Sequence, residues 1–556
     1  MKITDEVKNY VRQISAKAQM NPELFIAEPK ELFESQARKL TAHLKICWQK
    51  IISTGEPQRI IIHGDYDVDG VSSAAILSKV LKQVLPQAEI EVFLPRRSSG
   101  YGITEDSIAR FNEYQPDLII TADCGTNDRL LHEHARSNPE LRYLVIDHHL
   151  ISDEELWESR PENLCIVNGH NFKDIELCAA GMCFCFALAL LGEGAYEDDL
   201  IGYGSLATVA DLTPLNNPAN FAITKLGLNY LNKRQPSWAV HLNQGPKFQA
   251  YSFGFIIGPR INAISRIGES PNIAYRALMG DVDAINILHK ANSQRQVEVE
   301  KVCKSVMPAI LDNPSPVIFV EVDTLPGYVG LIASRLVELF NRPALVACPT
   351  GENSFSGSAR SVEGVHLVND VLEKAKDLFT RYGGHEMAAG FSYSGENSQA
   401  IAQVLSGLTD LKLEPAELDA LEVDLDSAHI YGAAVANFIT EPHGNGNPSP
   451  VFCVSNATID RITPVKNGAY TAFRIEDDKG NFARMMCWNK FDTVASLLAS
   501  WDRKMPVTVY FSAKYDPNNH QFPISLVIQE IRQGDLIFNK KSLELYELEN
   551  IEDRSK

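Results

Sequence analysis

The chain has 556 residues, 45% hydrophobic and 22% charged, with 52 Lys+Arg against 71 Asp+Glu and a formal net charge of −19. At roughly 150 residues per domain this length predicts three or four domains. So acidic a chain is not a uniformly basic nucleic-acid coat, but it leaves room for a nuclease, whose metal site is acidic and whose basic groove is local.

Residues 1–54 read as a helical segment packed on the next domain, with Leu40, Leu44 and Cys47 at helical spacing. A first α/β domain is expected over 55–275. Its apolar runs 59–62, 89–94, 117–121 and 142–146 alternate with helices such as 71–85, the pattern of a parallel sheet covered on both faces. The first run is followed by Asp65, Asp67 and Asp69, which an extended backbone would point the same way. The others end at Asp123 and at Asp147-His148-His149, and ligands of such sheets gather at strand ends.

The apolar segment 178–191 falls short of the roughly 20 residues that span a bilayer, so a buried helix is expected. Its Cys178, Cys183 and Cys185 read as reduced core residues. With no CxxC pair and a polar start, the reading is a cytoplasmic protein without a membrane segment. The run 206–212 presents Asp211. The stretch 253–267 reads as a loop whose Arg260 and Arg266 can pair with carboxylate or phosphate.

A long connecting helix is expected over 276–313, with the charged face around Arg295 solvated. Alternation of strands and helices restarts in a second α/β domain, 314–415. Short strands rich in aromatics over 416–535 suit a small barrel of the OB kind, and 536–556 is a charged tail.

His63, Asp65, Asp67, Asp69, Asp123, His148, His149 and Asp211 form a carboxylate and imidazole set. It suits Mn²⁺ or Mg²⁺ better than structural zinc, which favours thiolates. The set is larger than one ion needs. Asp123 as a bridge would hold two ions about 3.5–4 Å apart, the arrangement of phosphoryl hydrolases. In the second domain Ser358, Arg360, Gly383, Gly384 and His385 can approach a phosphate through backbone N–H groups and a guanidinium fork. In the barrel Tyr470, Phe473, Phe482 and Trp488 can stack on bases, although core packing is the commoner role of each.

Gly-Asp-Tyr-Asp-Val-Asp-Gly (64–70), Ala-Asp-Cys-Gly (122–125), Ile-Asp-His-His (146–149) and Thr-Val-Ala-Asp (208–211) resemble, in order, the four motifs of the DHH phosphoesterase superfamily. Gly-Ser-Ala-Arg-Ser (357–361) and Gly-Gly-His-Glu-Met-Ala-Ala-Gly (383–390) resemble its DHH-associated domain. Gly-Pro-Arg-Ile-Asn-Ala (258–263), the long helix, and Gly-Asn-Gly-Asn-Pro-Ser-Pro-Val-Phe (444–452) resemble the RecJ branch.

The resemblance implies two α/β lobes joined by a long helix, plus an OB-like barrel. It implies a 5′→3′ exonuclease that degrades single-stranded DNA to mononucleotides in repair or recombination, with two Mn²⁺ or Mg²⁺ ions. Asp67, Asp69, Asp123, His148 and Asp211 would be ligands, with His63, Asp65 and His149 as first or supporting partners. His385 would meet the scissile phosphate. Arg97, Ser358 and Arg360 would hold the 5′ phosphate, and Arg260 and Asn262 would join the strand contacts. The implied partners are single-stranded DNA with a 5′ end and single-strand-binding protein or a helicase, met by a monomer.

The alternatives are a phosphodiesterase of short oligoribonucleotides or cyclic dinucleotides and a non-catalytic single-strand-binding relative. Thr324-Leu325, Ile264-Ser265 and His443 depart from the family's usual residues, which bears on the shape of the strand channel.

Overall fold

A computed structural model of the chain describes residues 2–549, apart from 173–174, 412, 414–417 and 503–504. The expected limit at 415 and the last part of the tail, 550–556, lie outside the described residues.

Five all-apolar or alternating runs form one parallel sheet: β1 (Arg59–Gly64), β2 (Glu89–Phe93), β3 (Leu118–Ala122), β4 (Arg142–Asp147) and β5 (Leu164–Asn168). Their spatial order is β2-β1-β3-β4-β5. The period of two sends Ile60 and Ile62 to one core and Ile61 to the other, so both faces are covered and the strands read as unbroken apolar runs. The order reverses between β1 and β3. That switch point opens a crevice beyond their carboxyl ends.

On one face lie α2 (Pro29–Ile52), α3 (Val68–Val84) and the helix Ala179–Leu191, whose residues 179–187 are buried. The segment 206–212 is the end of a helix, Leu200–Ala210. The supposed loop 253–267 is a π-helical turn, Ser252–Ile257, running into the helix Gly258–Arg266. Gly258-Pro259 suggested a break, yet proline in the first turn lacks only an N–H that would be unpaired there anyway.

The N-terminal segment does not pack as one piece. α2 lies on the first domain, while α1 (Asp5–Lys17) crosses to the helix Ser427–Ile439 and sets Tyr10 edge-on against Phe452, with ring centroids 5.9 Å apart. The connecting helix runs from Val282 to Asp312. Its 31 residues reach about 45 Å at 1.5 Å each.

In the second lobe β6 (Ile318–Glu321), β7 (Ala344–Gly351), β8 (Ser354–Arg360), β9 (Arg381–Gly384) and β10 (Ala388–Ser394) make a mixed sheet ordered β6-β7-β8-β10-β9. The glycine-rich turn is thus the tip of the β9–β10 hairpin. The two lobes touch where Gly327 meets Arg266. A Cβ at 327 would lie 2.3 Å from the Arg266 carbonyl oxygen, so only glycine fits.

Beyond β11 (Ala420–Glu422), β12 (Val451–Val465), β13 (Tyr470–Glu476), β14 (Phe482–Cys487), β15 (Val507–Tyr515) and β16 (Ile524–Gln533) pair in the circuit β12-β13-β14-β16-β15-β12. These pairings close on themselves, as an OB-type barrel requires.

Candidate metal centre and phosphate pocket

The three aspartates after β1 are not presented by an extended chain. Asp67 is the N-cap of α3, its Oδ1 accepting from the N–H groups of Asp69 (2.9 Å) and Gly70 (3.2 Å). Asp69 therefore lies in the first helical turn and turns inward. Its two oxygens accept from Ala179 N (2.8 Å) and Ala180 N (2.7 Å), the first N–H groups of the buried helix. Gly70 is required because a Cβ would come 2.4 Å from the Asp65 backbone.

Asp123 follows β3 with φ +64, a left-handed conformation uncommon for a side chain with a Cβ. It still donates its N–H to Ile146 O at 3.0 Å, so the strand pairing continues while the carboxylate swings over the crevice. His148 then meets three carboxylates with Nε2: Asp123 at 3.1 Å, Asp69 at 3.6 Å and Asp211 at 3.9 Å.

The side chains form overlapping groups whose ligand atoms lie within 4.8 Å of one another: Asp65, Asp67 and Asp123; Asp69, His148 and Asp211; Asp123, His148 and His149. Asp123 belongs to two groups and touches the third through His148. Overlap of this kind suits more than one cation.

The electrostatics fit a cation too. Burial first, then the neighbouring carboxylates, raise Asp67, Asp123 and Asp211 above the usual range and push Asp65 up to about 7. Asp65 Oδ1 is buried with no hydrogen-bond partner. Carboxylates and imidazole without a thiolate are donors for Mn²⁺ or Mg²⁺.

His63 is not brought to this cluster. It is fully buried, with Nε2 on Ser107 Oγ (3.0 Å) and Nδ1 3.6 Å from Cys124 Sγ, between Phe93 and Phe111. Burial holds the ring neutral by lowering its pKa to about 3. Its strand position, one residue before Gly64, sends it to the opposite face from the crevice.

Asp147, a residue sequence reasoning left unassigned, organises the histidines. Its Oδ1 accepts from His148 N (2.8 Å), His149 N (3.2 Å) and His149 Nδ1 (2.8 Å), and its Oδ2 from Thr126 N (3.1 Å). Burial pushes this carboxyl up, but the His149 and Thr126 bonds outweigh it and bring it down to about 2. The Asp-His-His spacing was the available signal.

Across the crevice stand arginines. Arg97 lies 5.0 Å over the Tyr66 ring. Burial, then Arg97, Arg295 and Arg360, depress Arg266 to about 10. None of the four is in a salt bridge among the described residues; Arg266 Nη1 donates to Gly327 O (3.1 Å) and Arg360 Nη1 to Ala359 O (2.8 Å). Ser358 and Arg360 share one face of β8 and lean on Gly330, where a Cβ would lie 3.4 Å from Ser358 Oγ and 3.1 Å from Arg360 Nη2.

Arg295 was not among the expected contacts, whereas Arg266 was expected to pair with carboxylate or phosphate from a loop. Arg295 sits on the helix face read as solvated, and Arg266 on the segment read as a loop. Arg260 instead donates to His289 Nδ1 (3.0 Å), Ile256 O (2.5 Å) and Gln244 Oε1 (2.8 Å), so its guanidinium is engaged within its own lobe. Asn262 keeps a buried Oδ1 without a partner. Gly383 and Gly384 lie on β9, and exposed His385 follows at the hairpin tip; no hydrogen bond among the described residues joins its ring to the acidic cluster. In the barrel Phe473 is core, whereas Phe482 and Trp488 are 59% and 58% exposed. Arg474 lies 3.9 Å over Phe482, and Tyr470 meets Trp488 edge-on at 5.2 Å.

The class follows from comparison. Residues 59–208 match the family model described as the DHH family, N-terminal domain, residues 315–409 the DHHA1 domain, and residues 421–530 the RecJ OB domain. The chain is 30% identical over 441 residues to the single-stranded-DNA-specific exonuclease RecJ of Escherichia coli, covering 71% of this chain and 75% of that one. To RecJ of Bacillus subtilis it is 31% identical over 437 residues, 74% of this chain and 53% of the relative, so it spans about half the Bacillus protein's length. RecJ of Thermus thermophilus, solved in complex with Mn²⁺, has the same fold, with a TM-score of 0.72 at 24% identity over 95% of this chain and 78% of that one. The chain belongs to the RecJ family.

Proposed function

We propose that this chain is a 5′→3′ exonuclease of single-stranded DNA that hydrolyses the terminal phosphodiester with two Mn²⁺ or Mg²⁺ ions. The observation that carries this reading is the pairing of overlapping carboxylate and histidine groups, joined through Asp123, with an arginine cluster that makes no salt bridge among the described residues. Asp65, Asp67 and Asp123 would hold one cation, and Asp69, His148 and Asp211 the other, with His149 beside Asp123. When bound, such ions lower the pKa of water and neutralise charge on the phosphate. Asp147 fixes the His149 ring and the His148 backbone, and His63 packs beneath β1. Arg97, Arg266, Arg295 and Arg360, with Ser358, bind and orient the 5′-terminal phosphate. Phe482 and Trp488 offer stacking faces to bases further along the strand.

Matched 5′-labelled and 3′-labelled oligonucleotides, single-stranded and duplex, test the direction. The expected result is early release of the 5′ label from single strands in Mn²⁺ and none in EDTA. Early 3′ release, or duplex cut equally fast, overturns the reading.

A second expectation concerns the arginines. Arg360→Ala or Arg266→Ala removes a charge-assisted bond to phosphate, about 1.5–3 kcal/mol, so a 5′-phosphorylated strand loses roughly 10- to 100-fold in kcat/KM while a 5′-hydroxyl strand changes little. Equal losses on both ends sink the pocket assignment.

A further inference from the structure

We propose that Asn445, in the turn leading into the barrel, is a positioning residue for the metal centre: it clamps the loop that carries Asp211. The inference rests on reading Asp211 as a cation ligand.

Asp211 caps the C-terminus of the helix Leu200–Ala210, its N–H donating to Ala207 O at 2.8 Å. The next residue, Leu212, has φ +57 and is 68% exposed. A leucine in this region is strained by about 1–3 kcal/mol and persists only where its surroundings impose it. Its own helix supplies one long bond, Leu212 N to Val209 O at 3.3 Å.

Thr213 N and Oγ1 also return to Thr208 O, at 3.2 and 2.5 Å, and a further hold comes from a residue 233 positions beyond Leu212. Asn445 Nδ2 donates to Leu212 O at 2.6 Å, and Asn445 O accepts from Leu215 N at 2.6 Å. One residue therefore brackets the segment from Leu212 to Leu215, directly after the ligand.

The turn bearing Asn445 is stiff and closely applied. Asn447 is fully buried and donates from Nδ2 to Thr440 O (3.0 Å) and Pro442 O (2.8 Å). Gly444 and Asn447 exchange backbone bonds of 2.9 and 3.2 Å. A Cβ at Gly444 would lie 2.8 Å from Leu215 Cδ1, and one at Gly446 2.6 Å from Asn216 Oδ1. This explains the Gly-Asn-Gly-Asn spacing: two glycines permit the approach, the first asparagine makes the clamp and the second stiffens it. The turn follows the helix Ser427–Ile439, which packs on β15 of the barrel. Seating of the barrel and placement of Asp211 are thereby linked. Asn445 itself is exposed, so truncating it leaves no hole.

The test uses the full chain and Mn²⁺ alone. Mn²⁺ binding is followed by electron paramagnetic resonance for wild type, Asn445→Ala, Asn445→Asp and Asp211→Asn, with melting in EDTA alongside. Residues that orient a ligand typically change metal affinity 10- to 100-fold, so both Asn445 variants are expected to weaken one of two ions by about tenfold or more. Their melting in EDTA should match wild type, and activity should return at saturating Mn²⁺. Unchanged Mn²⁺ affinity in both variants overturns the clamp. So does equal weakening of both ions with a lower EDTA melting temperature, which marks general loss of barrel docking. If Asp211→Asn binds Mn²⁺ like wild type, the ligand reading itself fails. If it loses an ion while the Asn445 variants lose none, only the clamp fails.

Discussion

Asp123→Asn is expected to lower single-strand hydrolysis by about 10³-fold or more and, in EDTA, to raise the melting temperature. The first effect follows from removing the carboxylate shared between the cation groups. The second follows from charge. Burial, then Asp69, Asp67 and Asp65, push Asp123 above its ordinary range, so its folded pKa exceeds its unfolded one. Such a carboxyl adds stability below about pH 4 and loses it as pH rises through the folded pKa. Asp65, at about 7, alone makes this roughly 4 kcal/mol between acid and neutral pH. Metal-free wild type should therefore melt lower at pH 8 than at pH 5, and the variant should fall less. Mn²⁺ should reverse the loss in wild type. A variant that melts below wild type in EDTA would refute the account of a cluster strained by like charge.

Asp69→Ala should act in the opposite direction on the metal-free fold, although the residue stands in the same cluster. Its carboxylate is the acceptor for two buried N–H groups that open the helix Ala179–Leu191. Leaving both unpaired costs about 1–3 kcal/mol each, and the helix N-terminus loses its negative partner. Relief of repulsion on Asp67, Asp123 and Asp211 works the other way and offsets part of this. We expect a net loss of about 2–4 kcal/mol by urea unfolding in EDTA, with binding of one of the two Mn²⁺ ions lost. Unfolding unchanged from wild type would show that Asp69 has no structural role. Asp69→Asn keeps one acceptor and should fall between.

The contrast shows where the residue pattern is legible. Apolar runs such as Ile60–Ile62 declare buried parallel strands, because a strand covered on both faces has no polar side. The Asp-rich loop declares its chemistry but not its geometry: alternation suggests an extended chain, whereas Asp67 caps a helix and makes Asp69 part of it. Asp147 and Asp67 both accept backbone N–H groups, and only the folded backbone shows that Asp67 also joins Asp65 and Asp123. Arg295 escaped for a related reason. Arg295 is one charge on a charged helix face, and that face is a pocket wall only because the second lobe folds back over it. Helix Gly258–Arg266 was hidden by its glycine and proline. The acidic and histidine cluster of the first lobe was thus visible from residue type, while the place of Arg295 beside Arg266 needed the meeting of two lobes.

The crossing of α1 has a consequence for how the molecule is made. Lys2 N donates to the Tyr431 hydroxyl, a contact 429 residues apart in sequence, and Tyr10 packs in the barrel core. At about 5–20 residues per second, a ribosome needs on the order of tens of seconds to deliver that partner. Throughout that interval Tyr10 and Ile14 lack the barrel core they pack into, while the first lobe can already assemble. The helix Asp5–Lys17 therefore takes its place in the barrel core only after the helix Ser427–Ile439 has been made.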